Sequence, residues 1–221
     1  MHNISPSSAA KPALKPFMYG LNSAPVRELH AGYRPTILAH FLLLGAEDRR
    51  LRFGIPTADA VIENYVAQLN FSRDAVFGIF DANLKLVAIA HLAYLPAGKK
   101  RSKAAEFGVS VLAESRFQGY GAALLERAIV HARNTQVTTL FVHCLAQNKI
   151  MMHLAQKAGM QIDYAYGEAE ACLRLPPANP STIFAEAVNI QLADFDFAVK
   201  SNLNQSSKAL RWLLKKTNST K

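Results

Sequence analysis

The stretch SRFQGYGAALL, Ser115 to Leu125, sets Gly119 and Gly121 one residue apart, with a fixed cation at Arg116 before them and an apolar helical pattern behind. Those residue types at that spacing suit an anion. Glycines let the backbone approach a ligand with no Cβ in the way, and the first turn of a helix offers unpaired N–H groups and the positive end of its dipole. A diphosphate would fit such a cradle. The triplet alone is weak, since with 11 glycines in 221 residues a G-x-G is expected by chance about half the time. The Walker pattern G-x-x-x-x-G-K-[ST] is absent, and the strand before the glycines belongs to an antiparallel set, which disfavours an ATPase or a dinucleotide-binding dehydrogenase. No histidine and cysteine spacing forms a zinc site, and no Gly-x-Ser-x-Gly elbow supports hydrolase chemistry. His91 and His143 fall in apolar strands, as satisfied core histidines do. Cys144 and Cys172 likewise predict buried thiols rather than a disulfide framework.

The elements that would position the glycines follow from periodicity. Ile37, Leu38, Phe41, Leu42 and Leu44 recur at helical spacing up to a stop at Gly45, and Thr57 reads as the cap of a second helix carrying Val61, Ile62, Tyr65, Val66 and Leu69. AVFGIF and LVAIAHLAYL are β-branched and aromatic runs parted by the turn residues Asp81 to Asn83, which predicts a hairpin. A third antiparallel strand is expected over 105–112, then a helix from Gly119 to Arg133 with Ala122, Leu125, Ile129 and Ala132 on its apolar face. A strand over 138–145, a helix from Asn148 to Ala158 stopped by Gly159, and a hairpin of 161–166 with 169–175 complete the order α-α-β-β-β-α-β-α-β-β. No internal repeat is visible. The fold class is therefore mixed α/β (α+β). The domain organisation expected is a flexible leader over 1–25, one domain over 26–175 and a helical extension over 176–221. In that extension Ile183 to Val199 reads as one helix, and Ala209 to Lys216, with Trp212, as a short basic amphipathic one.

About half the residues are apolar and 19% are charged, which suits a packed core. No apolar run approaches the roughly 20 residues of a membrane span, and the polar start lacks the apolar segment of a signal peptide, so the expected location is cytoplasmic. The net charge of +9 is spread out: residues 1–35, residues 176–221 and the 140 between each carry +3. A nucleic-acid binder more often concentrates charge and interleaves aromatics with it, so no specific nucleic-acid partner is expected. The one tight basic run, Lys99 to Lys103, is either a solvated hairpin tip or a patch that recruits an acceptor.

AEFGVSVLAESRFQGYGAALLERAIVHAR, followed by LFVHCLAQNKIMMHLAQKAGM, resembles the core of the GNAT acetyltransferase superfamily. Its phosphate motif, Q/R-x-x-G-x-G/A, is met from Arg116 to Gly121. The likeness continues with Asn148 after the next strand and with Gly159-Met160 at the end of the following helix, and it covers roughly residues 26–175. EDRRLRFG and AEFGVSV further resemble bacterial protein-lysine acetyltransferases. The resemblance implies a mostly antiparallel sheet of six or seven strands flanked by helices, with acetyl-CoA as co-substrate and no metal. It places the pantetheine arm along Val109, Ser110 and Val111, and the diphosphate on Arg116, Phe117, Gln118, Gly119, Tyr120, Gly121 and Ala122. Asn148 would face the pantetheine or the acetyl end, and Glu106 would be the general base. A carboxylate suits that role because an amine must lose its proton before it attacks a thioester.

The family's usual tyrosine acid is replaced by Ala155. Water could protonate a thiolate whose pKa is about 8 to 9, and His153, Tyr164 and Tyr166 are substitutes. The function implied is direct acyl transfer to a primary amine, either a protein lysine or a small molecule, by a chain compatible with a homodimer. The rival implied by Ala155 and the long tails is a catalytically weak CoA-binding regulatory module.

Overall fold

The computed structural model describes residues 24–96 and 103–218, with side chains through residue 206. Among these residues the sheet has seven strands, β1 (Arg27–Leu29), β2 (Ala75–Phe80), β3 (Leu86–Tyr94), β4 (Lys103–Val111), β5 (Val137–Leu145), β6 (Gln161–Ala165) and β7 (Glu168–Arg174). They lie in the order β1-β2-β3-β4-β5-β7-β6, all antiparallel except the parallel pair β4 and β5. The helices are α1 (Arg34–Leu42), α2 (Ala46–Phe53), α3 (Asp59–Gln68), α4 (Tyr120–Asn134), α5 (Lys149–Lys157) and α6 (Pro180–Asn218). This is the mixed architecture expected, with a helical C-terminal region. None of the described helices is long and apolar enough to cross a membrane.

Both faces of the sheet are covered. Phe77, Ile79, Leu92, Phe107, Leu124, Leu125 and Leu140 form one core under α4, while Ile37, Phe41, Ile62, Val66, Val76 and Ile89 form the other under α1 and α3. A strand covered on both sides has no polar face, which is why AVFGIF is buried at every position.

The functional feature of the sheet is where β4 and β5 part. Their pairing runs only from Lys103↔Val137 to Glu106↔Phe141, so the β5-facing edge of Phe107 to Val111 has no strand beside it. On β4 the alternation sends Phe107 into the α4 core, whereas Gly108 meets Arg52 of α2 and Ser110 meets His40 of α1.

Several sequence expectations need correction. Three helices, not two, precede the main hairpin: α1 ends at Leu42, before the expected stop, and Gly45 is the N-cap residue of α2, whose Glu47 and Asp48 sit in the first turn and Arg50 and Arg52 in the last, a charge order matched to the helix dipole. Thr57 is no cap. Its hydroxyl donates to the Ile55 carbonyl at 2.8 Å, and α3 starts after Ala58 without a side-chain cap. The buried face of α4 is Ala123, Leu124, Leu125, Arg127, Ala128, Val130 and Ala132, wider than the stripe expected and centred differently. The two C-terminal helices are one, started by an Asn179 side chain that accepts from the Thr182 amide at 2.9 Å, with Pro180 in the first turn. Lys99, Lys100 and Arg101 lie outside the described residues.

Candidate active site

The loop between β4 and α4 is built to leave its amides free. Phe117 (φ 62°) and Gly119 (φ 77°) both lie in the left-handed region, a costly conformation for a phenylalanine, whose side chain is fully solvent-exposed here. The turn they make has a consequence for hydrogen bonding. The Ser115 and Arg116 amides donate to Leu112 and Ala113, and the Ala123 amide to Gly119, but the six between, from Phe117 to Ala122, donate to nothing among the described residues. Six consecutive free donors leading into a 15-residue helix are an arrangement that can receive an anion, by geometry and dipole together.

Two adjoining cavities flank this loop and the β4–β5 split. The larger, about 460 Å³, runs from the loop past Val109, Ser110 and Val111 to Asn148. The smaller, about 290 Å³, holds Glu106, His143, Cys144 and Glu168, and both share Leu51, Arg52, Val109, Asn148 and Met151. A long ligand that runs on from the larger cavity into the smaller would end beside Glu106.

The residues expected at the site line these two cavities, Gln118 apart. Arg116 forms an ion pair with Asp48, so its charge is partly answered by α2, and Lys157, which composition alone did not single out, is a further cation lining the larger cavity. The Ser110 side chain turns away from the split: it bonds His40 Nε2 at 2.7 Å, while His40 Nδ1 bonds the Leu86 carbonyl at 2.9 Å. Burial pushes the His40 pKa down to about 4, so the ring is neutral; Nδ1–H donates to the carbonyl and Nε2 accepts from the serine. Only the backbone of Ser110 is then left for a ligand. Asn148 Oδ1 accepts from the Met151 amide at 3.1 Å and so caps α5, with the rest of its side chain at the junction of the cavities. Gln118 is exposed beside the free amides.

Around Glu106 the structure adds a residue that periodicity misplaced. His143 was expected in the core, yet its side chain is 48% exposed and lies between two carboxylates, with Nε2 at 2.7 Å from Glu170 and Nδ1 at 3.7 Å from Glu106. The splayed end of β5 is uncovered on that face, so an inward-looking pattern there points to solvent. His91 does fit the core expectation, with its ring between Tyr65 and Asp74. Burial, helped by the positive charge of Arg52, lowers its pKa despite Asp74, and it stays neutral. Cys144 and Cys172 are free and only half-buried, and burial raises both thiols. Ala155 is wholly enclosed by the core, which leaves no room there for a tyrosine. Tyr164 and Tyr166 are exposed, and His153 lines the larger cavity.

No curated protein matches the chain significantly. Among solved structures it is similar to the GNAT domain of S. lividans PAT, with a TM-score of 0.59 at 17% identity over 68% of this chain and 89% of that one. It is also similar to an N-acetyltransferase from Staphylococcus aureus Mu50 (TM-score 0.55, 18% identity, 70% and 99% covered). A third is the spermidine N-acetyltransferase from Vibrio cholerae solved with CoA and spermine (0.53, 16%, 67% and 94%). At such identities the likeness speaks for the fold. The family model of the acetyltransferase (GNAT) family matches residues 47–160, more than half of the chain, and spans α2, the β4–β5 split, the free-amide loop and α5. The chain therefore belongs to the acetyltransferase (GNAT) family and is an N-acetyltransferase.

Proposed function

We propose that the chain transfers an acetyl group from acetyl-CoA to a primary amine, with no covalent enzyme intermediate. The observation that carries this reading is the row of six unpartnered amides from Phe117 to Ala122, joined by one continuous depression to the only glutamate on β4. A diphosphate satisfies the amides. The pantetheine arm lies along the free edge of Val109 to Val111 like an added strand, as backbone groups without a partner favour. Its thioester end reaches the junction at Asn148 and faces the smaller cavity, which holds Glu106.

In this reading Glu106 takes the proton of the acceptor ammonium, directly or through water, and the neutral nitrogen attacks the thioester carbonyl. The C–N bond forms, the C–S bond breaks, and the thiolate is protonated by water, since Ala155 supplies no acid. In the same reading His143, held by Glu170 with its Nδ1 3.7 Å from Glu106, passes that proton to solvent through an intervening water. The transferase unit comprises residues 26–175, with residues 1–25 and 176–221 outside it.

Titration of the full chain with acetyl-CoA, followed by mass spectrometry of an amine and peptide panel, tests it. Micromolar binding and an acetylated product are expected. Tight binding with no product from any amine would favour the CoA-binding module instead, and absence of binding would refute both.

A further inference from the structure

Arginines in this fold are answered almost everywhere. Arg49, Arg50, Arg73, Arg116 and Arg127 each meet a carboxylate, and Arg34 and Arg133 donate to main-chain carbonyls. Arg52, which lines both cavities, is different. No carboxylate lies within ion-pair distance of it among the described residues. Its Nη2 donates to a neutral hydroxyl, Tyr65 Oη, at 3.0 Å; its Nε is buried with no acceptor; and its Nη1 has none either.

The guanidinium is nevertheless fixed. It lies 5.2 to 5.9 Å from the ring centres of Phe41, Phe53 and Tyr65, and it rests on β4 where Gly108 leaves space, since a Cβ there would come within 2.8 Å of Nη2. Behind it runs a chain of one polarity. Tyr65 accepts from Arg52, so its own proton goes to His91 Nδ1 at 2.9 Å, and His91 Nε2–H points to Asp74 at 3.3 Å. Asp74 is already paired with Arg73 at 2.7 Å, so the countercharge is three side chains away and shared. A half-buried cation held rigidly in a cavity wall without a counter-ion is a site short of its anion.

Resting on the acetyl-transfer reading above, we propose that Arg52 binds a carboxylate of the substrate, so that the acceptor is a small amino acid rather than a simple amine. The spacing supports the acceptor as its source. Gly108, under the guanidinium, and Glu106 are two residues apart on one face of β4, about 7 Å along the strand. An amino acid whose nitrogen lies at Glu106 can set its carboxylate on Arg52, since both side chains line the smaller cavity. The planar guanidinium fork suits a carboxylate in a way that an ammonium does not.

The test is calorimetric titration of the full chain, with and without CoA, using the L-amino acids and their carboxamides, for wild type, Arg52→Lys and Arg52→Gln. At least one acid should bind about tenfold or more tightly than its amide. Arg52→Gln should erase that preference, and Arg52→Lys should restore only part of it. A second arm compares succinyl-CoA with acetyl-CoA: a preference for succinyl-CoA that Arg52→Gln abolishes, with acids and amides equal, would move the carboxylate from acceptor to acyl group. Equal binding in both arms, or a preference that survives Arg52→Gln, overturns the proposal. Failure of CoA to bind would count against the acetyl-transfer reading alone, because the acid and amide comparison is also made without it.

Discussion

Replacing Gly121 by valine separates the fold's needs from the ligand's. The backbone there is not left-handed, and a Cβ would approach only Leu154 Cδ2, at 3.8 Å, an ordinary van der Waals contact. In the first turn of α4 valine has the better helix propensity, by roughly 0.4 kcal/mol, so stability should be unchanged within about 0.5 kcal/mol. The ligand fares differently. Branched methyls over the Phe117 to Ala122 amides would push a diphosphate outward and weaken at least one or two charge-assisted hydrogen bonds, each worth about 1.5 to 3 kcal/mol. CoA affinity should therefore fall by about 10-fold to 100-fold or more, read by calorimetry, while the denaturation midpoint stays put. Gly119, at φ 77°, is the poorer probe because any side chain there adds backbone strain. An unaltered CoA affinity in a folded Gly121→Val protein would refute the anion cradle.

Gly108→Ala should dislodge the Arg52 guanidinium, costing about 1 to 2 kcal/mol of stability through the lost Tyr65 bond and ring contacts; a variant as stable as wild type would show that the guanidinium is not held there. His40, lowered from its ordinary 6.5 to about 4, gives a signed pH dependence: the unfolded chain takes up the proton first as pH falls, so this group removes up to about 3 kcal/mol between pH 6.5 and 4 and nothing further below. Urea denaturation across that window should show the slope in wild type and less of it in His40→Gln. Glu186 of α6 accepts from Arg127, His131 and Asn134 at 2.6 to 2.7 Å. Burial alone would raise its pKa, but these partners bring it down to about 2. Glu186→Ala leaves Arg127, 1% exposed, without its closest counter-ion and should cost about 3 kcal/mol, whereas a loss below about 1 kcal/mol would mean that α6 is not clasped this way.

The strands around the site were legible because their runs are long and bounded by turn residues, and SRFQGYG was legible because a glycine pair between strand and helix has few other uses. What escaped has physical reasons. Strand β1 is three residues long, too short for a period to register. Helix α2, AEDRRLRF, has no buried residue and hence no apolar stripe; its signal was the acid-first, base-last charge order. His143 misled because apolar alternation cannot show where two parallel strands part. The isolation of Arg52 is a property of the fold, since it depends on Gly108, three rings and the absence of a carboxylate within ion-pair distance among the described residues. Ala155 was recognisable as a departure, yet only its burial in the core explains why no tyrosine occupies it.

If the chain acetylates amines with Glu106 as the base, release of CoA thiol in the presence of an accepted amine measures it most directly. Glu106→Gln keeps the shape of the side chain and removes the proton acceptor; its kcat should fall by about 10²-fold to 10⁴-fold near neutral pH, with acetyl-CoA binding unchanged and the loss partly recovered as pH rises and the amine deprotonates by itself. A Glu106→Gln enzyme with wild-type kcat and an unaltered pH profile would contradict the account.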